Sequence, residues 1–241
     1  MRIETRVYEL DEETPVSEGV TLFHDGIVYD FRPADARVTI YRGPTGAKPA
    51  RFILLDTREG QKTELPVDRI EAAMTKLRRW CAMQEDPFLR FAGAPEFEEA
   101  FDPEVGELRM VSTELSYRVV TAPLMQPELK ATLRSFLDNY AMLHTLLESG
   151  LPPDPRLAVN EALFRHGVIP VEVELTAKGE DEPSLRAVHT VADVLSKPDL
   201  LRIDQAIDDL ASFKSVSNAD FQRARRLAME RQALQQQEAA K

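Results

Sequence analysis

The run "VTLFHDGIVYDF", residues 20–31, restricts the fold more than any other stretch. Asp25-Gly26 separates two segments rich in Val, Phe, Ile and Tyr, and a two-residue Asp-Gly link needs positive φ at both positions, as in the type I′ turn that joins paired antiparallel strands. The chain is therefore expected to begin with an antiparallel sheet. Arg37 to Tyr41 and Arg51 to Leu55 are further apolar or β-branched runs of strand length, and Ile3 to Leu10 alternates polar with apolar residues. The first 56 residues read as a four- or five-stranded antiparallel meander.

Between two of these strands lies "GPTGAKPA", residues 43–50, which looks like the front half of a phosphate-cradling loop. Such a loop requires glycine directly before lysine, a hydroxyl after it, and a helix whose first amides face the phosphate. Here Ala47 separates Gly46 from Lys48, Pro49 takes the hydroxyl position, and a strand follows. The segment reads as an exposed hairpin tip and not as a nucleotide site.

Helical periodicity takes over after Pro66, which suits a first helical position because its missing N–H costs nothing there. Val67, Ile70, Met74, Leu77 and Cys81 form one stripe over residues 67–83. A second long helix is expected over 127–149. Its apolar residues Leu129, Leu133, Phe136, Tyr140, Leu143 and Leu147 recur at spacings of four and three, with Gly150 and Pro152 as stop signals. Between these helices the proline- and glycine-rich stretch 85–107 suggests irregular chain with a short helix near 95–101, followed by strands at 108–111 and 115–120. A shorter helix over 155–166, ended by Gly167, leads into the strand "VIPVEVELTAK" and the polar turn "GEDEPS". From Val191 onward only helices are expected, at 199–213 and from the Ser217 to Asp220 start signal to the end.

The fold class expected is α+β. An N-terminal antiparallel β-meander is packed with two long helices, and an all-helical C-terminal extension follows. In domain terms, residues 1–190 form the core, β-rich over 1–56 and mixed over 57–190, and residues 191–241 form the extension.

A composition of 43% hydrophobic and 29% charged residues belongs to a folded chain. The single cysteine, Cys81, excludes an intrachain disulfide and a cysteine metal cluster. The N-terminus lacks a signal-like apolar stretch, and no membrane-length apolar run occurs, so a cytoplasmic location is expected. The formal charge of −11 repels a phosphate backbone and argues against general nucleic-acid binding. Arginine outnumbers lysine 22 to 8, a bias that fits GC-rich coding in a bacterium or its phage.

Few residues form a pattern that carries chemistry. His24, His144, His166 and His189 lack metal-motif spacing, and His144 with Glu148 supplies only two ligands at helical i,i+4 spacing. Glu172 and Glu174 share one strand face. With Asp154 and Lys178 they approach the acid, acid, lysine order of a metal-dependent hydrolase or nuclease, but the lysine spacing fails, and a solvated strand face accounts for them. Cys81 continues an apolar stripe, and no serine occupies a G-x-S-x-G elbow. No cofactor or metal is expected.

The C-terminal segment is more suggestive. Asp204, Asp208 and Asp209 make one helix acidic, and the final helix carries Arg223, Arg225, Arg226 and Arg231 beside a narrow apolar line that includes Phe221 and Leu227. These helices could pair within the chain, or the basic helix could dock elsewhere. The expected function is a non-catalytic assembly or adaptor protein, phage-related, binding another copy or a protein partner through Phe221, Arg223, Arg225, Arg226, Leu227 and Arg231. The alternative is a metal-dependent hydrolase or nuclease that uses the strand carboxylates.

Overall fold

Strand β5 (Arg51–Asp56) shows how the molecule is layered, because its successive side chains enter two different cores. Phe52 and Leu54 join one apolar cluster, and Ile53 and Leu55 join another. A strand buried on both faces reads as an unbroken apolar run, which is what "FILL" is. In the computed structural model, which describes residues 1–9, 12–148, 152–180 and 182–239 with side chains only as far as 228, β5 lies within a twelve-stranded sheet.

The N-terminal half of the sheet is a meander of β1 (Arg2–Glu9), β2 (Ser17–His24), β3 (Ile27–Arg32), β4 (Arg37–Arg42), β5 and β6 (Gln61–Pro66). The β2–β3 turn has φ of 49° at Asp25 and 73° at Gly26, and His24 faces Ile27 across it, as the Asp-Gly pair requires. The β4–β5 link is also a hairpin, closed by a Thr45–Lys48 bridge, with no helix after it. The C-terminal half contains β7 (Glu98–Asp102), β8 (Glu107–Val111), β9 (Leu115–Pro123), β10 (Val168–Ala177) and β11 (Leu185–Ala192). β11 pairs antiparallel with β1 and makes the two halves one sheet.

Helices α1 (Val67–Ala82) and α3 (Lys130–Glu148) cover one face of the first half. They contribute Ile70, Met74, Leu133, Phe136 and Leu143 to the cluster that holds Phe52. Helix α2 (Pro87–Gly93) packs on α1. Helix α4 (Asp154–His166) lies over the second half, where Val159, Ala162 and Leu163 meet Leu108, Val119 and Val173. Ala187 packs in this cluster and Val191 in the first; both point to the same side of β11, so α1, α3 and α4 share one side of the sheet. Helix α5 (Lys197–Ser212) lies on the opposite side and buries Ile203 and Ala206 against Leu22, Ile40 and Ile53. The chain then passes the sheet margin as β12 (Lys214–Ser215), parallel to β6, and enters helix α6 (Asn218–Ala239).

The molecule is mixed α+β with a mostly antiparallel sheet, and the main helices form where the apolar periodicity places them. Five details differ from the sequence reading. Residues 61–66 are a strand, residues 98–102 are a strand where a helix is expected near 95–101, and a helix occupies 87–93. Residues 185–192 add a strand where the reading assigns no element between the polar turn at 179–184 and the helical tail from Val191. β12 interrupts that tail. In each missed strand, paired neighbours supply an environment that the segment's own polar composition does not advertise. Gly150, expected to stop the second long helix, lies outside the described residues.

Candidate partner-binding surface

Helix α6 starts where the serine signal places it. The Asp220 amide donates to Ser217 Oγ at 3.2 Å, and the Phe221 amide donates to the Ser217 carbonyl at 2.9 Å. This geometry turns Phe221 inward. It is 1% exposed and belongs to the same apolar cluster as Phe52 and Phe136, so this member of the expected partner-binding set is used by the chain's own core.

Arg225, one helical turn on, is half-buried beside Arg37, Asp35, Glu148 and Asp56, and burial pushes its guanidinium below the usual arginine range. Arg223 and Arg226 are exposed, and Leu227 is 47% exposed. Positions 223, 226 and 227 share one stripe by helical spacing. The side chain of Arg231 lies outside the described residues. The expected set therefore divides into Phe221 and Arg225, which fasten the helix, and Arg223, Arg226 and Leu227, which face outward.

The acidic helix has a similar division. Ser196 and Asp199 form a reciprocal capping box at the start of α5, while Ile203 and Ala206 bind it to the sheet. Outside this seam Leu200, Leu201 and Ile207 are exposed next to exposed Asp204 and Asp208. Because α5 and the start of α6 lie on opposite sides of the sheet, no ion pair joins Asp204, Asp208 or Asp209 to the arginines of α6 among the described residues. Asp209 instead accepts from Gln205 at 2.8 Å.

Polar contacts tie α3 to the sheet end. Arg37 donates to Glu148 at 3.0 Å, and His144 Nε2 lies 2.6 Å from the other Glu148 oxygen. The His144 hydrogen bond is the largest cause holding the Glu148 carboxyl at about 2, and burial opposes it. The His144–Glu148 pair is thus engaged with Arg37. Tyr140 donates to buried Asp30 at 2.7 Å and closes the network on the adjoining strand.

The acids of the hydrolase alternative do not converge. Glu174 accepts from Arg118 at 3.0 Å, and Arg118 also donates to Glu107 at 2.7 Å. Val173 faces α4, so Glu172 and Glu174 point away from the side where Asp154 accepts from Arg78 at 2.6 Å. Lys178 pairs with Glu114 at 2.7 Å. Among the described residues no three His, Cys, Asp or Glu side chains group as metal ligands would. Cys81 is buried, and burial pushes its thiol up.

Two polar residues to which the sequence reading gives no role face the sheet side of α4. Arg156 falls on the stripe of Val159 and Leu163, where the period calls for an apolar residue, and His189 takes an inward position on β11 between Ala187 and Val191. A polar residue on an apolar period is the signal that could have found Arg156. For His189 the strand itself had to be recognised first. No protein-family model matches this chain, and comparison with curated proteins finds no similar sequence.

Proposed function

We propose that this chain is a non-catalytic assembly protein that joins to further copies of itself through the outward faces of α5 and α6. The observation that carries this reading is the placement of complementary surfaces on opposite sides of one sheet. The α5 face offers exposed leucines and an isoleucine with Asp204 and Asp208, and the α6 stripe offers Arg223 and Arg226 with Leu227. Neither can satisfy the other within the chain. Between copies they meet head to tail, an arrangement that builds rings or filaments depending on whether its rotation closes. Exposed ion pairs contribute about 0–1 kcal/mol each, so charge orients the contact and the apolar residues supply most of its strength. The dispersal of Glu172, Glu174 and Asp154 across the sheet supports contact over chemistry.

Sedimentation velocity over a range of concentrations tests the reading. Self-association that weakens with added salt is expected, because salt screens exposed charges. Asp204→Lys with Asp208→Lys should abolish it, and mixing that variant with Arg223→Glu/Arg226→Glu should restore a contact between the two. A wild-type chain that stays monomeric throughout, or charge-swapped variants that fail to complement, would refute it.

A further inference from the structure

We propose that the groove enclosed by α1, α3 and α4 binds a linear diamine, whose two ammonium groups meet Asp154 and Glu161 and whose methylenes lie along the helix between them. No residue of α5 or α6 lines this groove, so the site stands apart from the self-association surfaces.

The groove is a cavity of about 720 Å³, and its α4 wall carries the pattern that selects the ligand. Asp154, Leu157, Ala158 and Glu161 line it, one helix face at i, i+3, i+4 and i+7. The order is acid, apolar, apolar, acid. Met142 of α3, itself buried, adds a further apolar side chain to the lining. Seven residues advance a helix by about 10 Å, so the two acids stand about that far apart along α4. An extended chain advances about 1.2 Å per bond, and a terminal diamine of about seven carbons therefore sets its nitrogens at the same separation.

Both acids have capacity to receive an ammonium group. Arg78 Nε donates to Asp154 Oδ1 at 2.6 Å, while Asp154 Oδ2 is buried with no hydrogen-bond partner. A buried acceptor left unfilled is costly, and an ammonium group brings three donors. Burial pushes the Asp154 carboxyl up, and the Arg78 guanidinium only partly offsets this. Glu161 is exposed and makes no ion pair among the described residues. The positive end of the α4 dipole fades within the first turn, and Glu161 lies beyond it.

Charge fixes the valence. Arg78 holds Asp154, and Arg134 pairs with Asp138, whose other oxygen accepts from Asn160 at 2.9 Å. Glu71 and Glu161 remain uncompensated among the described lining residues, which leaves the groove two negative charges. A cleft of one sign between low-dielectric walls concentrates its counter-ions. A divalent metal ion would also bring two charges, but among the described residues no three acids group to hold one.

The test titrates the full-length chain by calorimetry, at neutral pH and constant ionic strength, with putrescine, heptamethylenediamine, heptylamine and magnesium chloride. Saturable binding of heptamethylenediamine is expected, about tenfold or more tighter than that of heptylamine, because the second ammonium group binds from a high effective concentration. Putrescine, whose nitrogens lie too close together, should bind more weakly, and magnesium should not displace the longer diamine. Glu161→Gln, at an exposed position, should bring heptamethylenediamine down to the affinity of heptylamine, whereas Glu128→Gln, at an exposed acid outside the groove, should leave it unchanged. No saturable binding of the diamine, equal binding of heptylamine, stronger binding of magnesium, or an unchanged affinity in Glu161→Gln would overturn the proposal.

Discussion

Replacing Phe221 by alanine asks whether α6 belongs to the folded core or hangs from it. The ring is 1% exposed and packs in the cluster formed by β5, α1 and α3. Removing a fully buried aromatic ring forfeits its transfer free energy and leaves a cavity, together costing about 3–5 kcal/mol. For a chain of 241 residues, about 2–4 °C of melting temperature accompanies each kcal/mol, so a fall of about 6–20 °C is expected. Thermal and urea unfolding followed by circular dichroism would measure it. Deleting residues 217–241 should cost at least as much, since the ring goes with them. Arg223→Ala is the control: its side chain is 71% exposed with only a 3.7 Å contact to Asp220, and its effect should stay within about 0.5 kcal/mol. If Phe221→Ala melts with the wild type while Arg223→Ala behaves as stated, the helix is a free arm and the anchoring argument is wrong.

Acid should destabilise the protein in two windows. His189, held near 4 against an ordinary 6.5, favours the folded state above pH 6.5, and this contribution is lost as pH falls toward 4; His189→Gln should flatten that limb of a plot of urea midpoint against pH. Glu148, held at about 2 against an ordinary 4.5, contributes above pH 4.5 and loses that contribution as pH falls toward 2, so Glu148→Gln should flatten the lower limb instead. At Gly93 an added Cβ would lie 2.6 Å from Cys81 Cβ, so Gly93→Ala should cost about 1–3 kcal/mol of unfolding free energy, whereas Gly43→Ala, with nothing within 4 Å, should leave the urea midpoint unchanged. Cys81, buried with its thiol pushed up, should react with a thiol reagent only at the rate of unfolding.

The elements visible in the sequence are those whose own residues carry both the period and the turn chemistry. Asp25-Gly26 announces its hairpin, and the four-and-three spacing from Leu133 to Leu147 announces α3. β11 is harder to see because its inward row is Leu185, Ala187, His189 and Val191, in which a small residue and an imidazole weaken the alternation. β7 is harder still: Glu98 and Glu99 look helical, and pairing with β8 overrides them. The side of the sheet on which α6 lies was not legible. It depends on β12 crossing the sheet margin, a pairing of two residues with β6 that no local pattern encodes. Arg156 stands out only once α4 is known to face the sheet, because an arginine on a short helix is ordinary until its surroundings are known.

The pairing of β1 with β11 sets Arg2 opposite Ala192. During synthesis the first six strands can zip together early, yet one flank of β1 must wait for most of the polypeptide to be made. At about 5–20 residues per second that interval is on the order of ten seconds or more. Throughout it a row of backbone amides and carbonyls stays open, the kind of margin that neighbouring nascent chains can invade. The seam that unites the finished protein is thus also where two ribosomes translating the same message are most apt to entangle their products.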